Sequence, residues 1–235
     1  SAFTYYLGFK VNSGEYKVMG LAPYGVAKYK DLIIKNLMDL KEDGSFRLDM
    51  SYFNYATGLT MTNQKFSNIF GEKVRDSESE LKQFHMDIAA SIQEVTEEIM
   101  IRITRSISSE YKIKNLCLAG GVALNCVANG KIKRDGFFEN IWVQPASGDA
   151  GGALGAALLL WYNELGNIRK VKEGDSMKGS YLGPTYDNET IEQTLKNIGA
   201  SYKILDNDKL TEFSANALSK GKIIGWFQGR MEFGP

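Results

Sequence analysis

A long helical repeat of apolar residues, over residues 78–110, constrains the fold of this chain more than any other feature of its sequence. Apolar side chains recur there at steps of three and four, the period of a helix that buries one face. They are Leu81, Phe84, Ile88, Ile92, Val95, Ile99, Ile103 and Ile107. Ser77 followed by Glu80 is typical of a capping box, which satisfies free N–H groups at a helix start. We therefore predict a helix over 78–110 whose isoleucine stripe packs on a sheet.

Short apolar runs alternate with helical patterns after that helix. The expected elements are strands at 116–119 and 141–143 and helices at about 122–133 and 150–164. Strands and helices that alternate at this spacing favour a βαβ arrangement with a largely parallel sheet. Before the long helix we expect a structured loop over 1–25, a helix over 29–40 and an extended segment over 46–50. The fold class predicted for this first lobe is α/β.

A polar stretch rich in glycine and lysine, residues 169–179, is interpreted as a domain boundary. Beyond it the pattern predicts a second α/β unit that the sequence leaves unfinished. Its expected elements are helices near 188–197 and 208–219 and strands near 202–205 and 223–227. The chain also opens without Met and stops after a glycine-rich run, so we expect that both ends are cut from a longer protein.

Charge and cysteine content exclude several classes of protein. Lys and Arg total 28 and Asp and Glu total 28, so no excess of positive charge favours nucleic acid or an anionic membrane as a partner. Cys117 and Cys126 have no neighbouring ligands at metal spacing, and two cysteines are too few for a disulfide scaffold. No apolar run has the length of a membrane span. We expect a soluble protein of the reducing cytoplasm.

Gly120 and Gly121 lie where a predicted strand turns into a helix. Two glycines there let the backbone approach a phosphate closely, and the first N–H groups of the helix supply positive potential. The alternative, that the pair only makes a tight turn, is equally consistent with the glycines alone. Asn125, one turn further on, adds a side chain able to reach a ligand.

Asp149 lies at the start of the helix predicted over 150–164. Taken alone, its carboxylate is best interpreted as a helix cap, although beside a nucleotide it could bind a metal. His85 is the only histidine and is expected to be structural. The helix glutamates are expected to form a solvated face: Glu94, Glu97 and Glu98. Glu15 and Lys17 are polar groups in a loop that could serve a ligand.

Four motifs, taken together and in this order, resemble the NodU/CmcH O-carbamoyltransferases. They are GEYKVMGLAPYG at 14–25, AGGVALN at 119–125, GDAGGA at 148–153 and GWFQGRMEFGP at 225–235. The resemblance covers nearly the whole chain, including the connecting YLGP segment at 181–184. Four ordered motifs are far more specific than any one of them.

The resemblance implies an actin-like ATPase (RNase H-like) fold for residues 1–168, a linker over 169–180, and the beginning of a YrdC-like domain over 181–235. It implies that carbamoyl phosphate and ATP give carbamoyl adenylate in the YrdC-like domain. The carbamoyl group then passes, in the actin-like domain, to a hydroxyl of a sugar, antibiotic or nodulation factor. The family uses a bound divalent metal of the iron type.

The same resemblance assigns residues. Gly120, Gly121 and Asn125 match the nucleotide phosphate loop, and Asp149 matches a metal-binding aspartate at the catalytic centre. Arg230 matches a catalytic arginine that grips the carbamoyl phosphate or adenylate.

In the nucleotide-side loop, Glu15 and Lys17 are implied binding residues. The family's paired metal histidines and most of its YrdC-like domain have no counterpart here, so we expect this segment alone to be inactive.

Two other functions remain open on the sequence. One is a sugar kinase or a relative of the tRNA threonylcarbamoyl transferase on the same actin-like fold, since a fold does not determine a function. The other is a nucleotide-binding lobe without catalytic activity. The GRMEFGP motif favours the carbamoyltransferase, because neither enzymatic relative should need it.

Overall fold

The computed structural model describes residues 1–171 and 173–234. It divides into two compact units, Ser1–Ser147 and Gly148–Pro235, each described by itself below. This division lies between two motifs and not at residues 169–180, and the domain boundary inferred from composition there stays a prediction.

The first 25 residues are largely helical, so the loop predicted over 1–25 is wrong. They form α1 (Ala2–Tyr6), α2 (Glu15–Leu21) and a 3₁₀ turn, Ala22–Tyr24. Each helix buries apolar side chains at helical spacing, Phe3 and Tyr6 from α1 and Val18 and Leu21 from α2. Both helices are short, so this burial stabilises them more than local propensity does.

The helix predicted over 29–40 ends three residues early. The structure has α3 (Lys30–Leu37) followed by β1 (Met38–Leu40) and β2 (Phe46–Leu48). The two strands pair antiparallel, with Met38 opposite Leu48. Pairing across the turn at Gly44, whose φ is +86°, extends residues 38–40 and stops the helix.

The long amphipathic helix exists as α5 (Gln83–Tyr111), which follows α4 (Gln64–Phe70). The capping box predicted at Ser77 and Glu80 is wrong, because the helix begins after both residues. Glu78 has a φ of +63°, in the left-handed region, and therefore cannot lie inside a right-handed helix.

His85 has the structural role expected of it. Its Nδ1 accepts a hydrogen bond from the N–H of Lys82 (2.9 Å), the residue that precedes α5. The side chain is buried, and this burial, together with the charges of Arg75 and Lys82, lowers its pKa. A neutral imidazole, which can accept a hydrogen bond, is the form that this position favours.

The main core of the first unit lies between α5 and the helices around it. Its largest fully buried side chains are Tyr6, Phe66, Leu7, Ile33, Leu37, Ile88 and Val95. The expectation that the isoleucine stripe packs on the sheet is therefore wrong, since α1, α2, the 3₁₀ turn Ala22–Tyr24 and α3 contact α5 instead. These helices carry enough aromatic and aliphatic surface to do so.

The predicted strands at 116–119 and 141–143 are confirmed as β3 (Asn115–Leu118) and β4 (Asn140–Val143). They pair in parallel, with Leu116 opposite Ile141. A 3₁₀ turn, Gly121–Leu124, and α6 (Cys126–Asp135) connect them in place of the single helix predicted over 122–133. A second apolar cluster joins this βαβ unit to Met100 and Ile101 of α5: Leu116, Ile132 and Phe138.

In the second unit the predicted helices are confirmed and the predicted strands are wrong. The helices are α7 (Gly151–Leu159), extended by a π turn Leu160–Glu164, α8 (Asn188–Asn197) and α9 (Asn207–Ser219). Between residues 173 and 234 the structure has no strand at 202–205 or 223–227. Ile223 is 99% exposed, and an extended segment without a neighbour has nothing to pair with.

Over residues 1–171 and 173–234 the structure is thus mixed α/β with two small sheets, each of two strands. The actin-like architecture implied by the resemblance stays a prediction. Over the residues that the structure describes, every helix is too short or too polar to span a bilayer.

Candidate functional site

The turn between β3 and α6, residues 119–125, has an open face. Gly120 has φ +93° and ψ 160°, which only glycine adopts readily, and its N–H donates to the carbonyl of Ser147 (2.8 Å). A β-carbon built at Gly120 or Gly121 meets no atom within 4 Å. Gly121 and Val122 are exposed residues, and their N–H groups donate to no backbone oxygen of the described residues. The turn therefore offers free backbone donors beside the amino terminus of α6.

Asn125 is held on two sides. Its Oδ1 accepts from the N–H of Ala128 (3.0 Å), so it is the N-cap of α6. The amides of Asn125 and Gln93 also form a reciprocal pair, Nδ2 to Oε1 at 2.9 Å and Nε2 to Oδ1 at 3.1 Å. The sequence did not predict Gln93, because it lies on another helix 32 residues away.

Glu97 is not part of a solvated face, which corrects the expectation for this glutamate. Its side chain is only 6% exposed and pairs with Lys131 of α6. It also accepts from Gln93 Nε2 (2.9 Å). A buried carboxylate needs such partners, and α6 supplies the cation. The more exposed Glu94 and Glu98 share Lys30 as their cation.

Glu15 and Lys17 lie in α2 and not in a loop. Glu15 Oε1 accepts from Ser1 Oγ (3.0 Å) and from the N–H of Asn12 (3.1 Å). Partial burial alone would raise the pKa of Glu15, but these hydrogen bonds outweigh it and lower the pKa. Lys17 is exposed, with Nζ 6.0 Å from the centre of the Phe9 ring. Neither side chain contacts the turn at 119–125 in the described hydrogen bonds, although the next turn of α2 does approach it.

The motif at 14–25 meets the turn at 119–125 through one pair of sulfur atoms. Met19 Sδ lies 4.0 Å from Sγ of Cys126, the first residue of α6. The fold of the first unit therefore brings the first two of the four motifs together. Glu15 precedes Met19 by one helical turn, so it shares its helix with this contact.

Asp87 of α5 fixes the end of the first motif, and sequence reasoning missed it. Its Oδ1 accepts from the N–H of Val26 (2.9 Å), and its Oδ2 pairs with Lys28 (2.6 Å). The carboxylate is almost fully buried, which alone would raise its pKa, but the bonds from Lys28, Gln83 and Val26 lower it. A β-carbon at Gly25 would lie 2.0 Å from the carbonyl oxygen of Met86. Part of this motif thus serves close packing on α5.

Asp149 lies in the second unit and is exposed. Its carboxylate does not cap α7, whose N-cap is Ala150 without a side-chain hydrogen bond, so the capping interpretation is wrong. Within residues 1–171 and 173–234 no group of three or more His, Cys, Asp or Glu side chains could hold a metal ion. One exposed carboxylate does not fit an iron-type metal, which needs several ligands. The metal-binding role of Asp149 stays a prediction.

Arg230 joins the two motif segments of the second unit. Its guanidinium donates to the carbonyl of Gly183 (2.6 Å). Two backbone hydrogen bonds lie beside it, Gly183 N–H to Met231 O (2.8 Å) and Met231 N–H to Pro184 O (2.9 Å). A β-carbon at Gly183 would lie 2.8 Å from Met231 O, so the two segments require a glycine there. The role of Arg230 toward a ligand stays a prediction.

Comparison with known protein families shows which family this chain belongs to. A sequence model of the carbamoyltransferase N-terminus matches residues 1–158, about two thirds of the chain. The chain therefore belongs to the NodU/CmcH type of carbamoyltransferase family, as the four motifs predict.

Three longer proteins illustrate the similarity. An uncharacterized protein of Synechocystis is 61% identical over 237 residues, which cover 100% of this chain and 38% of that protein. The nodulation protein NolNO of Sinorhizobium fredii is 39% identical, over 98% of this chain and 32% of that protein. The nodulation protein NolO of Bradyrhizobium diazoefficiens is 37% identical, over 94% of this chain and 38% of that protein. The chain thus spans only 32% to 38% of the length of these relatives.

Proposed function

We propose that the full-length protein containing this chain is an O-carbamoyltransferase that uses carbamoyl phosphate and ATP. Its acceptor is a hydroxyl group of a small molecule of the sugar, antibiotic or nodulation-factor type. Membership of the carbamoyltransferase family supports the reaction class. The open turn at 119–125, with free N–H groups at Gly121 and Val122, is the observation that supports nucleotide binding by this chain.

In this proposal, carbamoyl adenylate is the activated intermediate. Its formation consumes one water molecule and releases phosphate from carbamoyl phosphate and pyrophosphate from ATP. The acceptor oxygen then bonds to the carbamoyl carbon, and the bond from that carbon to the phosphate oxygen of AMP breaks. AMP leaves with the bonding electrons, and the hydroxyl proton passes to water or a base. Oriented N–H donors stabilise the negative charge that develops on the carbonyl oxygen.

The turn at 119–125 holds the nucleotide phosphate in this scheme. Backbone N–H groups and the positive end of the α6 dipole both favour an anion there. Gly120 and Gly121 leave the space that a phosphate needs. Asn125 adds a side-chain donor. Arg230 of the second unit binds carbamoyl phosphate or the adenylate formed from it. No step is assigned to a metal, because the described residues do not form a metal site.

The test is a carbamoylation assay of the full-length protein with carbamoyl phosphate, ATP and a panel of sugars and aminoglycosides. We expect a product heavier by one carbamoyl group, and only when ATP is present. Pyrophosphate release, followed separately, reports adenylate formation. Phosphorylated acceptor together with ADP would instead support a kinase, and the absence of both products and of pyrophosphate would overturn the proposal.

A further inference from the structure

Gln93 occupies the middle of a chain of polar side chains that links α5 to α6. At one end, Lys131 pairs with the buried carboxylate of Glu97. Glu97 Oε1 accepts from Gln93 Nε2, and Gln93 exchanges two hydrogen bonds with Asn125. At the other end, Asn125 caps α6 at the turn that carries Gly120 and Gly121. This chain of contacts lies entirely within the first unit.

Each hydrogen bond in this series of side chains determines which atom of the next side chain donates and which accepts. The carboxylate of Glu97, paired with Lys131, only accepts hydrogen bonds, so Gln93 must turn its NH₂ group toward it. The Oε1 atom of Gln93 is then free to accept from Asn125 Nδ2. The Ala128 N–H independently requires Asn125 to present Oδ1 to α6. Both ends thus select the same orientation of the Asn125 amide, and a flip would break the contacts at each of them.

We propose that Gln93 is a positioning residue for nucleotide binding, acting through Asn125. The Nδ2 atom of Asn125 carries two hydrogens. One of them donates a hydrogen bond to Gln93 Oε1, so the other is left to donate to a phosphate oxygen. Without Gln93 the Asn125 side chain keeps its cap but loses the partners that hold the rest of its amide. This inference rests on the proposed function, since it assigns a ligand to the turn at 119–125.

Two variants of the full-length protein test the inference, with ATP as the probe. Gln93→Met removes both amide contacts, and Gln93→Glu keeps the side-chain shape but replaces the donor by a second carboxylate facing Glu97. We expect either change to raise the KM for ATP about three- to tenfold, the range of one or two net hydrogen bonds, with kcat changed less than twofold. Calorimetric Kd values for ATP should rise by the same factor.

Gln64→Met is the matched control. Gln64 also donates to an asparagine, Asn68 (2.8 Å), but on the exposed face of α4. We expect wild-type KM, kcat and Kd from it. An equal loss of ATP binding in this control would show a general destabilisation and overturn the inference.

A double-mutant cycle with Asn125→Ser separates positioning from a structural role. Serine caps a helix about as well as asparagine, so α6 keeps its cap while the amide is lost. If Gln93 acts through Asn125, the effect of Gln93→Met on ATP binding disappears in the Asn125→Ser background. An unchanged effect there overturns the inference. If Asn125→Ser alone binds ATP normally, Gln93 has no ligand residue to position and the inference fails, while carbamoyl transfer by the wild type still supports the proposed function.

Discussion

Replacement of Gly25 by alanine introduces a β-carbon where α5 leaves no room for one. The added atom would lie 2.0 Å from the carbonyl oxygen of Met86, 2.2 Å from its carbonyl carbon and 2.6 Å from the backbone nitrogen of Asp87. All three neighbours are backbone atoms of a long helix, which cannot move aside as a side chain can. The segment that carries Gly25 must therefore move away from α5 by more than an ångström.

The cost of this movement follows from the contacts that it breaks. Overpacking of this kind costs about 1–3 kcal/mol. The movement also separates Val26 N–H from Asp87 Oδ1, now 2.9 Å apart, and loss of a hydrogen bond to a buried carboxylate costs about 1.5–3 kcal/mol. The two effects together predict a loss of about 2.5–6 kcal/mol in the free energy of unfolding. For a unit of this size that lowers Tm by about 5–24 °C.

Thermal and denaturant unfolding of the full-length protein, followed by circular dichroism, measures this loss. Gly20→Ala is the matched control, because it lies in the same motif, inside α2, and its β-carbon would meet nothing within 4 Å. Alanine favours a helix over glycine by about 1 kcal/mol, so Gly20→Ala should keep or raise Tm. If Gly25→Ala unfolds at the wild-type temperature, the close approach to α5 is not a constraint and the reasoning is wrong.

Three further outcomes are expected. Because the pKa of Asp87 is lowered on folding, its contribution to stability is present above the unfolded pKa, about 3.9, and is lost as the pH falls through the folded value. Urea unfolding measured across that pH range should show that the free energy of unfolding falls less steeply with decreasing pH for Asp87→Asn than for the wild type. An equal pH dependence in the two proteins would contradict the prediction. Gly121→Val should abolish ATP binding while Tm stays unchanged, since the chain itself leaves space for the side chain; calorimetry that finds normal affinity would remove the phosphate role of the turn. Asp149→Ala tests the catalytic role that the resemblance implies for this residue: a sharp fall in carbamoyl transfer with pyrophosphate release nearly unchanged would support that role, and transfer at the wild-type rate would exclude it. Tm should not change, because Asp149 caps no helix.

The sequence predicted correctly those elements that are stabilised by residues close to them along the chain, such as helix caps and turns. The helix at 188–197 has Asp187 at its N-cap, accepting from the N–H of Thr190, and its bounds agree with the prediction. The strands β3 and β4 follow from short apolar runs between turns. The turn at 120–121 also agrees, because glycine can adopt the φ of +93° that Gly120 has where the strand ends.

The features that the sequence did not predict depend on contacts between residues far apart in the chain. Glu97 has the sequence context of a surface glutamate, but it is buried because it pairs with Lys131, 34 residues away. Gln93 and Asp87 carry no recognisable motif, and their roles come from partners on other helices. The aromatic segment at 1–25 resembles a loop because of its glycines, yet its helices form when Phe3 and Tyr6 pack against Phe66 and Phe70. The strand predicted at 223–227 has the right composition but no described neighbour to complete a ladder.

The pairing of Gly183 with Met231 has a consequence during synthesis on the ribosome. Met231 is added 48 residues after Gly183, which takes roughly 2–10 s at about 5–20 residues per second. Both α8 and α9 are encoded between the two positions, and helices of this length form in about a microsecond. Both helices therefore have time to form before the backbone groups of Gly183 and Pro184 meet their partner. During that interval the N–H of Gly183 and the carbonyl of Pro184 lack their folded partner Met231, so these backbone groups are free to pair with other nascent chains.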